Sequence, residues 1–119
     1  MVARETMIKV MAATQSVNST VRYTLEEDEI HWITFAAASG TSYVLQTLYD
    51  GDDLDTVMTL RSPGGVPVAT NDDNEDIESY TPYSKITFRA NTTGTFYVGI
   101  LDYAGAAGSY WLSITTAAD

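Results

Sequence analysis

The feature that most constrains this chain is a strict two-residue alternation near its C-terminus. Residues 95–101 read Thr-Phe-Tyr-Val-Gly-Ile-Leu, and residues 109–115 read Ser-Tyr-Trp-Leu-Ser-Ile-Thr. Successive side chains of an extended strand point to opposite faces, so each run offers one apolar face. Phe96, Val98 and Ile100 form the first face, and Tyr110, Leu112 and Ile114 form the second. β-Branched and aromatic residues fill both runs, as strands prefer. Between them, Asp102 to Gly108 supplies the glycines of a tight loop. A symmetric hairpin across that loop sets Phe96 opposite Ile114, Val98 opposite Leu112 and Ile100 opposite Tyr110. In that register Trp111 points outward opposite Gly99, with Tyr97 and Leu101 as diagonal neighbours.

The same alternation recurs upstream. Residues 17–25, 30–36, 42–48, 56–61, 66–70 and 85–89 each read as a strand, separated by Ser39-Gly40, Asp50-Gly51, Ser62-Pro-Gly-Gly65 and Asn91-Thr-Thr-Gly94. No stretch sustains a 3.6-residue apolar repeat. About eight short strands with frequent turns predict an all-β fold, an antiparallel β-sandwich of jelly-roll-like form. With 119 residues, 45% hydrophobic and 18% charged, the chain can enclose one core. Residues 1–12 read as an extension or linker remnant in which residues 6–10 could add a strand, and residues 13–119 read as the domain. The first eleven residues carry Arg4, Glu5 and Lys9, which is not the composition of a secretion signal.

Charge and composition exclude several functions. A net charge of −10 repels phosphate backbones and anionic lipid, so nucleic acid is not an expected partner. No apolar run approaches the ~20 residues of a membrane-spanning helix, and without cysteine there is neither disulfide nor thiolate chemistry. His31 is the single histidine, and no Gly-x-Ser-x-Gly elbow occurs. The chain is therefore expected to have no catalytic residues.

Thirteen of the sixteen carboxylates fall in three segments: Glu26-Glu-Asp-Glu29, Asp50 to Asp55, and Asp72 to Glu78. Crowded like charges gain from a counter-ion, and calcium takes six to eight oxygen ligands. The candidate calcium ligands are Asp53, Asp55, Asp72 and Asp73, with Asn71 beside them. The EF-hand spacing fails, because Ile77 and Tyr83 stand where that loop needs glycine and glutamate. The alternative is that these segments act as solubilising loops. On the outward side of the final hairpin, Trp111, Tyr97 and Tyr103 are candidates for an aromatic binding platform, against packing or a domain contact as the alternatives.

Several runs resemble the bacterial pre-peptidase C-terminal domain family. They are Asp55-Thr-Val-Met-Thr-Leu60, Gly65-Val-Pro-Val-Ala-Thr-Asn-Asp-Asp73, Ser84-Lys-Ile-Thr-Phe88, Thr93-Gly-Thr-Phe-Tyr-Val98 and Gly108-Ser-Tyr-Trp-Leu-Ser-Ile114. Ser19 to Leu25 and Trp32 to Phe35 sit where that family has its first strands. The resemblance implies an eight-stranded sandwich that accompanies the catalytic domain of a secreted hydrolase, usually a peptidase. It also implies an extracellular setting and, as in the collagen-binding modules of clostridial collagenases, attachment to insoluble polymer with calcium as an accessory. An adhesive module of a repetitive surface protein is the alternative. The family often has aspartate where this chain has His31, and a small polar residue where it has Trp111.

Overall fold

The computed structural model describes residues 9–51, 54–71 and 84–117. Nine strands form: β1 (Lys9–Thr14), β2 (Ser19–Leu25), β3 (Glu29–Ala37), β4 (Ser42–Tyr49), β5 (Thr56–Arg61), β6 (Pro67–Asn71), β7 (Lys85–Arg89), β8 (Gly94–Asp102) and β9 (Gly108–Thr116). They make two sheets, one ordered β1-β3-β8-β5-β6 and the other β2-β9-β4-β7. Leaving β1 aside, two four-stranded sheets of orders 3-8-5-6 and 2-9-4-7 are the winding of a jelly roll, in which most consecutive strands change sheet. The all-β sandwich read from the sequence is present, with all eight of its expected strands.

The ninth strand takes up the possibility that residues 6–10 add a strand, and departs from the expectation in its direction. β1 runs parallel to β3, pairing Lys9 with Glu29 through Thr14 with Thr34. The sheet therefore takes in residues 9–12, and one pairing among the described strands is parallel. At the end of β1 the backbone turns away toward the second sheet, and the buried Gln15 secures the turn. Its amide donates to the carbonyls of Ser19 and Leu112, and its oxygen accepts from the Tyr23 hydroxyl.

A second departure concerns the final hairpin, which does not exist. β8 lies between β3 and β5 in one sheet, while β9 lies between β2 and β4 in the other. The expected apolar faces are nonetheless buried: Phe96, Val98, Ile100, Tyr110, Leu112 and Ile114 are each at most 2% exposed. They enter one core from opposite sheets instead of lying side by side within one sheet. Alternation specifies which face of a strand is apolar, and both arrangements bury the same six side chains.

The core between the sheets has an aromatic end and a polar end. At one end Phe35 and Phe96 of the first sheet pack on Tyr43 and Phe88 of the second, with ring centroids 5.3–6.2 Å apart, a spacing typical of attractive aromatic pairs. Elsewhere Thr47, Thr56 and Ser84 are buried and satisfy one another, with hydroxyl contacts of 2.8–2.9 Å. Such closed groups keep buried hydroxyls from costing stability.

The crossed topology has a direct check. Thr20→Cys combined with Ser113→Cys, a directly opposed β2–β9 pair, should oxidise to a disulfide. Tyr97→Cys combined with Ser113→Cys, opposed only in the hairpin register, should keep two titratable thiols. Thiol counting after mild oxidation reads both, and cross-linking of the second pair would restore the hairpin.

Candidate functional site

Three places collect the chain's chemically distinctive side chains. The first is buried. His31, 1% exposed, sits between Tyr110, whose hydroxyl is 2.6 Å from Nδ1, and Glu29, whose Oε1 is 3.0 Å from Nε2. The carboxylate must accept, so Nε2 carries the proton and Nδ1 accepts from Tyr110. Burial, with the nearby Tyr23 and Glu29 adding to it, pushes the Tyr110 phenol far above its ordinary value, which keeps it a donor. Burial alone would raise the Glu29 carboxyl. The Glu26 amide, His31 and Lys9 outweigh that and hold it below the usual carboxylate range. Both imidazole nitrogens are thus engaged inside the core, a structural arrangement.

The second place is the passage from β8 to β9. Asp102, 5% exposed, ends β8 and accepts three backbone N–H groups, from Asp55 at 2.6 Å and from Ala104 and Ala106 at 2.9 Å. The Tyr103 amide returns a bond to the Asp55 carbonyl. Asp55, a candidate calcium ligand, is therefore fixed by its backbone at the entry to β5. Asn71, another candidate, ends β6 opposite Met58. Asp53, Asp72 and Asp73 lie outside the described residues. Among the described residues no three histidine, aspartate or glutamate side chains gather as a metal site. Asp102 escaped the sequence reading; its signal was an aspartate at a strand end followed by small residues, the pattern of an Asx turn.

The third place is the outer face of the larger sheet. Strand registers set side chains in lines across it. Ala12, Trp32, Gly99, Thr59 and Thr70 form one line, and Thr14, Thr34, Tyr97 and Arg61 the next. On the other side of Trp32 stand Val10 with Ile30, and Val57 with Leu101. Trp32, Tyr97 and Arg61, with the turn Pro63-Gly64-Gly65, enclose an open hollow of about 340 Å³. Arg61 Nη1 donates to the Gly65 carbonyl at 2.8 Å, which aims the guanidinium along the rim. Outward faces of antiparallel sandwiches are ordinarily polar. This one sets aromatic and aliphatic side chains among threonines and Arg61, and no carboxylate stands on these lines.

The expected platform of Trp111, Tyr97 and Tyr103 is not assembled. Tyr97 faces outward from the larger sheet and Trp111 from the smaller one, with the core between them. The Trp111 indole donates to Asp50 Oδ1 at 3.0 Å, and Arg22 binds the other oxygen of that carboxylate at 2.5 Å. Tyr103, 73% exposed, stands on the β8–β9 loop beside Asp28 and Glu29. Gly99 is indeed covered by an indole, but by that of Trp32, its partner on β3. The hairpin register set Trp111 opposite Gly99, whereas the β3–β8 pairing sets Trp32 there.

The family model of the bacterial pre-peptidase C-terminal domain matches residues 29–101, from the first residue of β3 into β8. The chain belongs to this family. Solved structures repeat the fold. The pre-peptidase C-terminal domain of Bacillus anthracis collagenase aligns over 87% of this chain and 93% of its own, with TM-score 0.68 and 20% identity. PliG of Aeromonas hydrophila, a periplasmic inhibitor of g-type lysozyme, aligns over 91% and 99%, with TM-score 0.67 and 10% identity. Salmonella Typhimurium PliG aligns over 90% and 99%, with TM-score 0.57 and 12% identity. No curated protein matches the sequence. Among the described residues, no helix is long and apolar enough to cross a membrane.

The buried Glu29–His31–Tyr110 group predicts two stability losses. Tyr110→Phe removes the donor to Nδ1 and should cost about 1–3 kcal/mol, the range for a buried polar atom left unsatisfied, read as a lower urea midpoint. Glu29→Gln should destabilise at neutral pH. Because folding lowers the Glu29 pKa, its contribution is present above the ordinary value of about 4.3 and is lost as pH falls below it. The melting temperatures of Glu29→Gln and the parent protein should therefore converge as pH falls below the ordinary carboxylate range. A gap that stays constant across that fall in pH would remove Glu29 from the network.

Proposed function

We infer that this domain is a non-catalytic accessory module of an exported bacterial hydrolase, a peptidase by family association, and that it holds the enzyme against an insoluble polymer. The observation that carries this is the aromatic face around Trp32 and Tyr97, which shows no carboxylate among the described residues of its strand lines, in a chain of net charge −10. Large apolar side chains on an outward sheet face mark interaction surfaces. Family membership supports the accessory role, and the engagement of His31 inside the core is in keeping with it. Tyr97 remains in the binding surface and Trp32 takes the place first assigned to Trp111. The fold likeness to the collagenase domain agrees with a partner that is a catalytic domain on the same exported chain.

Co-sedimentation tests this reading. The protein should be retained by at least one of insoluble collagen, chitin and cellulose, and Trp32→Ala should lower that retention tenfold or more, about 1.4 kcal/mol. Trp111→Ala should lower thermal stability and leave retention unchanged. Retention unaffected by Trp32→Ala on every polymer would dismiss this face.

Calcium is the proposed stabiliser of the same module. Pairing of Met58 with Asn71 brings the start of β5 and the end of β6 to the same end of the sheet. Asp53, Asp55, Asn71, Asp72 and Asp73 offer the hard oxygen donors that calcium takes. Extracellular modules bind it with dissociation constants of about 0.1–1 mM. At ~1 mM calcium the stabilisation should be about 0.4–1.4 kcal/mol, seen as a small rise in melting temperature over chelator. Superimposed melting curves would leave the acidic segments as solubilising loops.

A further inference from the structure

The geometry at Gly99 bears on what the aromatic face can hold. A Cβ built on Gly99 would lie 2.7 Å from Trp32 Cη2, 2.7 Å from Cζ3 and 3.1 Å from Cε3. A point that close to three successive ring carbons lies over the ring's face; one off the ring's edge would be much farther from the third. A Cβ projects roughly along the sheet normal. The six-membered ring of Trp32 therefore lies flat on the Gly99 backbone, parallel to the sheet. One face of it is spent on the glycine, and the half-buried residue turns the other outward. Only a residue without a side chain at position 99 leaves room for this.

We propose that this surface stacks the sugar rings of an uncharged, β-linked polysaccharide. The proposal rests on the reading of the Trp32–Tyr97 face as the polymer-binding surface, and it specifies the polymer. A pyranose ring carries C–H groups on its faces and hydroxyls around its edge. It packs flat on an aromatic face while its rim reaches for hydrogen bonds. The lines flanking Trp32 supply that rim from Thr34, Thr59, Thr70 and Arg61, with Tyr97 as a second ring on the same hollow. β-Linkage keeps successive rings in a flat ribbon, which suits a flat ring on a sheet.

Other polymers fit less well. An extended peptide added as a strand needs an open sheet edge, whereas Trp32 and Tyr97 stand on β3 and β8, each paired on both sides. A polyproline-type chain seats its rings in slots between upright aromatics, and a ring laid flat leaves no slot. A polyanion would meet one cation, Arg61, on a chain of net charge −10.

Gly99→Ala tests the proposal with every aromatic group retained, because the added methyl must tilt Trp32 away from the backbone. The protein should sediment with chitin or cellulose, and in titrations chitohexaose or cellohexaose should bind and shift tryptophan emission. Gly99→Ala should weaken both tenfold or more with the melting temperature changed by only a few degrees. Tyr97→Ala, at an exposed side chain outside the core, should weaken them too and serves if Gly99→Ala fails to fold. Retention by collagen with none by chitin or cellulose would overturn the glycan assignment while sparing the polymer-binding reading. Glycan retention undiminished in both variants would overturn the stacking geometry.

Discussion

The interaction on which the rest depends is the burial of the inner faces of β8 and β9 in one core. Each strand is flanked on both sides within its own sheet, so the two form the spines of the sandwich. The apolar faces of Phe96, Val98, Ile100 and of Tyr110, Leu112, Ile114 are fully inside. Only Tyr103 to Ala107 separate the two strands. A crossing that short must turn sharply, and the Asp102 carboxylate makes it possible by gathering the amides of Asp55, Ala104 and Ala106. One buried acid therefore ties the crossing to the entry of β5. The acidic segment around Asp55 starts from a fixed point.

The crossing also sets the order in which the fold can close. Among the described strands β2 pairs only with β9, with Ser19 opposite Ile114. The second strand thus waits for the last before it has a partner. Pairings so distant in sequence are slow to form, because the loop entropy is lost before the contact returns anything. Among the described strands the β5–β6 hairpin is the one pairing of neighbours in sequence. Its turn carries Gly65 at φ +84°, a backbone conformation that glycine adopts without strain.

Much of this was legible in the sequence, and the limits are physical. Side-chain alternation reported the existence of β2 to β9 and their buried faces, because the solvent boundary imprints itself on every second residue. It could not report partners, since an apolar face is equally satisfied by a strand beside it or a sheet opposite. That ambiguity moved Trp111 onto Gly99 on paper, while Trp32 covers it in the structure. The same mistake made one platform of Tyr97 and Trp111, which the core separates. β1 was only half visible, because an edge strand with Val10 and Ala12 exposed carries little alternation. The acidic segments were obvious as composition. Which of their oxygens converge is a question of loop geometry that spacing does not encode.

The flat seating of Trp32 has a consequence for how this family member can vary. Positions 32 and 99 are neighbours on paired strands, and the ring occupies the space a side chain at 99 would need. A substitution at either position alters what the residue at the other can do. Any larger residue at 99 displaces the indole, and any smaller residue at 32 bares a glycine in the middle of a central strand. The two codons are coupled. A lineage that abandons the aromatic surface is expected to recover an ordinary side chain at 99 soon afterwards, so a non-glycine there would mark descendants that have given the surface up.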